Sequence, residues 1–300
     1  MAGLDENMLY LIKALAENRI QDAKKAALAC CANDTTKKNE QKIKYYKKLL
    51  ENGNTNLFEV PPNLKGLLNM EDVSSFREDR YYLGKQQEEL FNKIKCGVET
   101  TTKLLEYGIP YMNSTLIYGE PGTGKTEFAK FVAYKLGLPY AYVNFSYLIE
   151  SYMGKTSQNL QRVFDYCKGQ KCVLMLDEID CIGIARGNDK GCDGELARTT
   201  IALMQALDGL VDGQIIIAAT NRNDRLDNAL LRRFQRQVCF ERYEKEEALN
   251  MITQYINSVN KEFLTQDVLN FVIDNDSHTQ AEVVKFLIEK IVEKIQNTTS

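Results

Sequence analysis

The stretch "GEPGTGKT", residues 119–126, constrains this chain more than any other. It has the spacing of a phosphate-binding loop, with Gly119 first and Gly124-Lys125-Thr126 last. Such a loop needs a buried strand before it and a helix after it, so that backbone N–H groups converge on an anion at a helix N-terminus. Both neighbours are present: "STLIYG" precedes it, and Phe128, Phe131, Val132 and Leu136 give the following segment a helical stripe. Glycines keep side chains out of the cradle, and Glu120, Pro121, Gly122 and Thr123 complete it. Lys125 has the reach for β and γ phosphate oxygens, and Thr126 has the hydroxyl for Mg²⁺.

A second element follows in "CVLMLDEID", residues 172–180. Four apolar residues carry a buried strand to its C-terminal end, where ligands bind in parallel sheets. Two adjacent carboxylates there are costly unless a metal or substrate uses them. Asp177 is expected to complete the Mg²⁺ shell through water, and Glu178 to polarise an attacking water. The other buried runs, "YAYVNF", "QIIIAAT" and "RQVCFE", alternate with amphipathic segments. That pattern predicts an α/β fold, a parallel sheet with helices on both faces, over residues 79–242.

Outside this core the signals are helical. Residues 1–55 predict a small helical region whose stripes are Met8, Leu9, Ile12, Leu15 and Ala16, then Ile20, Ala23, Ala27 and Cys30, then Ile43, Tyr46 and Leu50. Asn18 and Asp34 stand where N-caps are expected. Gly, Asn and a Pro pair mark a linker, assigned to 56–78 and draped over the next domain. Residues 243–300 predict an all-α lid, with helices over 244–257, 265–274 and 279–296.

Composition narrows the function. With 44% hydrophobic and 26% charged residues the 300-residue chain is globular, and its formal net charge is −3. Nucleic acid is therefore not indicated as a partner. No apolar run approaches the roughly 20 residues of a membrane span, and the N-terminus lacks a signal-peptide pattern. Eight cysteines without a CxxC pair read as reduced thiols in a cytoplasmic protein, with Cys172 and Cys239 as small core residues. His278, the single histidine, reads as a turn residue and excludes a His-rich metal site.

These motifs together resemble the AAA family of ATPases over nearly all of 79–296. "IIIAATNRNDRLDNALLRRF", residues 215–234, is similar to the family's second region of homology. The resemblance implies Asn221 as the sensor that orients water, although a turn residue is the plain alternative. It implies that Arg232 and Arg233 reach a neighbouring subunit's site. Here they are adjacent, without the family's intervening Pro-Gly, and Arg236 is close by. Asp208 resembles an intersubunit signalling residue, and Asn144 a polar residue that restrains the catalytic glutamate. Gln280 and Ala281 fall where the family's lid faces adenine, with Gln280 in place of a glycine. A ring-shaped homo-oligomer, a hexamer, follows from the same resemblance.

"SYMGKTSQNL", residues 151–160, repeats the Gly-Lys-Thr, but Ile149 stands where the first glycine belongs and a short helix precedes it. It is not a phosphate loop. Ser157 can cap a helix with the stripe Leu160, Val163, Phe164 and Cys167. Tyr152, Met153 and Gly154 at the loop tip are similar to the aromatic–hydrophobic–Gly pore loop of AAA translocases. The alternative is that Tyr152 and Met153 pack into the protein's own core. Residues 185–198 suggest a second pore-facing loop or an ordinary surface loop. The leading reading is a Mg-ATP-hydrolysing remodeler that threads polypeptide through a pore, with the N-terminal helices docking a protein client or partner. A nucleotide-dependent switch that activates a nuclease or protease, and a nucleic-acid translocase favoured slightly by Lys155, are the alternatives.

Overall fold

The computed structural model describes residues 4–17, 20–34, 38–51, 60–145, 148–149, 155–168, 171–182, 193–210, 213–263, 265–273 and 277–299. Its frame is a six-stranded sheet in the order β1-β3-β4-β5-β2-β6. Five strands are parallel: β2 (Asn113–Tyr118), β3 (Tyr140–Asn144), β4 (Val173–Asp177), β5 (Ile215–Thr220) and β6 (Arg236–Cys239). The sixth, β1 (Asn69–Glu71), runs antiparallel along β3. It lies within the segment expected to be a linker. Leu64, Leu67, Leu68 and Met70 around it are all buried in the core.

Alternation along each strand divides the interior into two layers. Leu116, Val143, Leu174, Leu176, Ile216 and Ala218 face α6 (Thr156–Lys168) and α7 (Asp193–Asp208). Ile117, Tyr140, Val173, Met175, Ile215 and Ile217 face α4 (Lys85–Glu106) and α5 (Lys125–Leu136). Both faces are covered, which is why these strands read as unbroken apolar runs. The stripe Leu160, Val163, Phe164 and Cys167 is fully buried. Helix α6 begins at Thr156, so Ser157 lies inside its first turn rather than at its cap.

A short helix, α8 (Asn228–Leu231), capped by Asp227, follows β5. The lid consists of α9 (Lys245–Val259), α10 (Gln266–Ile273) and α11 (Gln280–Thr299) around Ile252, Ile256, Val283 and Leu287. It also holds a two-residue ladder, β7 (Tyr243–Glu244) with β8 (Ser277–His278), too short to show a sequence period. His278 is therefore a buried strand residue rather than a turn residue, with its ring 4.6 Å from that of Phe271. Cys239 is only half-buried, because β6 is an edge strand with one uncovered side. The other free thiols range from buried Cys167 and Cys172 to exposed Cys96.

Three helices precede the sheet: α1 (Glu6–Ala16), α2 (Ile20–Asn33) and α3 (Glu40–Glu51). Asp5 caps α1 by accepting from the Met8 amide. Asn18 lies outside the described residues. Asp34 follows the end of α2 instead of capping α3, and its carboxylate accepts from Asn39. The α1 stripe faces outward: Met8, Leu9, Ile12 and Leu15 are 42–54% exposed, while small Ala14 is fully buried. No helix among the described residues is long and apolar enough to cross a membrane.

Leu174 is fully buried at the centre of this frame. Leu174→Ala is expected to lower the unfolding free energy by about 2–5 kcal/mol, read from urea denaturation followed by circular dichroism.

Candidate nucleotide site

The parallel register brings the ends of β2, β4 and β5 to one edge, and the motif residues meet there. After Tyr118 the chain turns through the loop into α5. Gly119 has φ +141°, and a Cβ on it would stand 2.2 Å from the Phe240 carbonyl. Gly124 has φ +80°, and a Cβ there would strike the Gln280 side-chain amide at 1.7 Å. At Gly119 the backbone angle and the fixed Phe240 carbonyl both require glycine, and at Gly124 the left-handed angle does. Thr123 is buried, its hydroxyl donating to the Glu120 carbonyl, whereas the Glu120 carboxylate points outward to Arg242.

Lys125 is 8% exposed, and its ammonium donates to the carbonyls of Gly119 and Glu120 at 2.8 and 2.7 Å. Burial pushes its pKa down, and the Asp177 carboxylate pulls it back up. Thr126 Oγ1 donates to Asp177 Oδ2 at 2.9 Å. Asp177 Oδ1 accepts from the Glu178 backbone N–H at 3.0 Å. Glu178 has φ 57° and ψ 40°, the single positive φ outside glycine among the described residues. That left-handed turn aims its carboxylate back along the sheet edge at a cost of about 1–3 kcal/mol in strain. Asn144 Nδ2 donates to Glu178 Oε2 at 3.3 Å.

Lys125, Thr126, Asp177, Glu178 and Asn221 line one cleft of about 660 Å³ together with Pro121, Gly122 and Gly124. Gln280 and Ala281 form part of its far wall. The Ala281 amide donates to the Gly122 carbonyl, and Gln280 Nε2 donates to the buried Tyr243 hydroxyl at 2.6 Å, so the lid seats directly on the loop. Thr279 and Glu282 hold the start of α11 by capping each other's backbone N–H groups. The rest of the wall escaped the sequence reading. Phe76, Arg77, Arg80, Tyr81 and Tyr82 come from 76–82, and Met251 and Val284 come from the lid. Tyr81 stacks on Phe131 at 5.0 Å, and the aromatic run before Gly84 was the available signal.

The donors present fit a magnesium–nucleotide complex. A hydroxyl and a carboxylate, both hard oxygen ligands, share one hydrogen bond at the mouth of an anion cradle made by glycine backbone. Among the described residues no group of three or more His, Cys, Asp or Glu side chains could hold a metal alone. A cation bound here therefore takes most of its ligands from phosphate and water, as Mg²⁺ does.

Arg232 and Arg233 lie outside the cleft and differ from each other. Arg233 is paired within its own chain, Nε and Nη2 bonding the two Asp208 oxygens at 3.0 and 2.8 Å and Nη1 bonding the Ala229 carbonyl. Arg232 is exposed, and its guanidinium makes no hydrogen bond or ion pair among the described residues. Arg236 is turned inward, bonded to Thr115, Tyr111 and Asn113, and burial lowers its pKa. Tyr152, Met153 and Gly154 lie outside the described residues, as does most of 185–198.

Burial raises the pKa of Asp177 above its ordinary 3.8, against the lowering effect of the Thr126 hydroxyl. A raised carboxylate pKa costs the fold stability in full above the folded value, and the cost vanishes as pH falls below the unfolded value. Asp177→Asn is therefore expected to melt higher than the parent at pH 7 without nucleotide. The gap is expected to narrow as melts are repeated toward pH 4.

Comparison with known proteins agrees with this geometry. Residues 115–242 match the family described as "ATPase family associated with various cellular activities (AAA)". The chain is 37% identical over 142 residues to an uncharacterized AAA family ATPase of Sinorhizobium fredii, covering 47% of this chain and 43% of that protein. It is 38% identical over 153 residues to the ATP-dependent zinc metalloprotease FtsH of Corynebacterium glutamicum, covering 49% and 18%. It is 40% identical over 134 residues to the peroxisomal ATPase PEX6 of Saccharomyces cerevisiae, covering 43% and 13%. The chain thus spans less than half the length of each of these relatives. The loop at 119–126 and the paired carboxylates Asp177 and Glu178 both fall inside the matched region, so residues 115–242 are similar to the AAA family of ATPases.

Proposed function

We propose that this chain hydrolyses ATP with Mg²⁺ in the cleft and uses the turnover, as a hexameric ring, to thread and remodel a polypeptide. The observation that carries the reading is the convergence of Lys125, Thr126, Asp177 and Glu178 at one sheet edge. The loop amides and Lys125 hold the β and γ phosphates, with the ammonium moving from the Gly119 and Glu120 carbonyls to the phosphate oxygens. Thr126 and, through water, Asp177 would hold Mg²⁺, which would supply charge neutralisation at the phosphates. Glu178 accepts a proton from the attacking water, Asn221 orients that water, and Asn144 restrains Glu178 until it is needed. Phe76, Tyr81 and Val284 give the base an apolar slot beside Gln280 and Ala281.

Arg232 is the residue we assign to the neighbouring subunit's γ-phosphate, because its guanidinium faces solvent. Arg233 braces it by tying the end of α7, at Asp208, to α8. In the ring, Tyr152, Met153 and Gly154 grip the client, and the N-terminal helices recruit it. The exposed apolar side chains of α1 support that docking role for a protein. The division into an N-terminal region (1–55), a large subdomain ending at 242 and a lid (243–300) belongs to the same proposal, as does a cytoplasmic setting; the segment expected as a linker (56–78) joins the large subdomain through β1.

Lys125→Ala is expected to abolish nucleotide binding, and Glu178→Gln to bind ATP with turnover reduced by at least about 100-fold. Phosphate release and a fluorescent nucleotide titration distinguish the two. Arg232→Ala is expected to lose turnover while keeping affinity, and mixing it with Lys125→Ala chains is expected to restore part of the activity. No restoration would place each site within a single chain. Tyr152→Ala with unchanged remodeling of an unfolded client would remove the threading step.

A further inference from the structure

Tyr142 has no role in the site as built so far. Its ring lies on β3, stacked on Tyr140 with centroids 6.1 Å apart. Its hydroxyl is 3.4 Å from Asp177 Oδ2 and 3.3 Å from Asn144 Nδ2. Asn144 Nδ2 is in turn 3.3 Å from Glu178 Oε2. The register sets this up: Asn144 pairs with Asp177 across β3 and β4, and Tyr142 stands two residues earlier on the same face.

Proton counting gives the row a direction. An ionised carboxylate only accepts, so the phenol gives its one proton to Asp177. Its oxygen is then an acceptor facing Asn144, whose amide has two protons. One goes to the phenol and the other to Glu178. The amide nitrogen of Asn144, rather than its oxygen, is thereby held toward the carboxylate that activates water. Each contact is at the long end of hydrogen-bond range, so the row holds as a set and loosens when one member shifts.

We propose that Tyr142 is a positioning residue: it takes its orientation from Asp177 and fixes the Asn144 amide that restrains Glu178. The proposal rests on the reading of Glu178 as the base of ATP hydrolysis. It links the carboxylate that serves the metal to the one that serves the water, through this chain's own side chains. A change in what Asp177 accepts then reaches Glu178 through two side chains of β3.

Tyr142→Phe keeps the ring and its stacking and removes only the hydroxyl. With Glu178 less restrained, kcat for basal ATP turnover is expected to rise about fivefold, the weight of one ordinary hydrogen bond, with KM within about twofold of the parent. Asn144→Ala is expected to rise at least as far, and adding Tyr142→Phe to it is expected to change nothing more. Fluorescent ADP affinity, with Mg²⁺ and with EDTA, and the melting temperature of the nucleotide-free protein are expected to stay at parent values. A lower or unchanged kcat, a gain that multiplies with that of Asn144→Ala, or a loss of ADP affinity would overturn the proposal. A parent chain whose turnover is insensitive to Lys125→Ala would defeat the hydrolysis reading and the relay with it. Parent turnover that Tyr142→Phe leaves unaltered would defeat the relay alone.

Discussion

The hydrogen bond from Thr126 Oγ1 to Asp177 Oδ2, 2.9 Å long, joins the first turn of α5 to the last residue of β4 across 51 positions of sequence. Neither residue is near the other by any local rule. They meet because β2 and β4 both run parallel to β5, which lies between them, so the loop after one and the carboxylate ending the other emerge at the same edge. Two buried layers of apolar side chains hold that alignment, one on each face of the sheet. The cost of a desolvated carboxylate and a desolvated ammonium is carried by the packing below them.

The lid depends on the same edge. Gln280 occupies the space that a side chain on Gly124 would need, and the Ala281 amide closes onto the Gly122 carbonyl. Gln280 is held by Tyr243, whose hydroxyl also donates to the Tyr82 carbonyl. One phenol thus ties the lid to the 76–82 segment over the cleft. The start of α11 thus rests on the loop through one backbone hydrogen bond and one side-chain amide.

Much of this was legible from residues alone, for identifiable reasons. Strands buried on both faces show as apolar runs, and a glycine-rich loop between such a strand and a helix is a dense signal, so Gly119 to Thr126, Asp177 and Glu178 stood out. Strand β1 did not, because three residues, Asn69–Glu71, are too few for a period and pair only through β3. The apolar stripe of α1 marked a helix but not its surroundings, since periodicity shows that a face exists and not that it is covered. The different fates of Arg232 and Arg233 depend on Asp208, 25 residues away from Arg233, and adjacent identical letters carry no trace of it. Tyr142 was read as part of a buried strand, because its link to Asp177 exists only once β3 lies beside β4.

One composite cleft joins the 119–126 loop to the Asp177-Glu178 pair, and Lys155 and Thr156 of the second Gly-Lys-Thr do not line it. Calorimetric titration of the parent chain with ADP and Mg²⁺ counts nucleotides per chain and so tests this directly. One nucleotide bound per chain is the expected result. Two per chain, or binding that survives when the 119–126 loop is disabled, would contradict it.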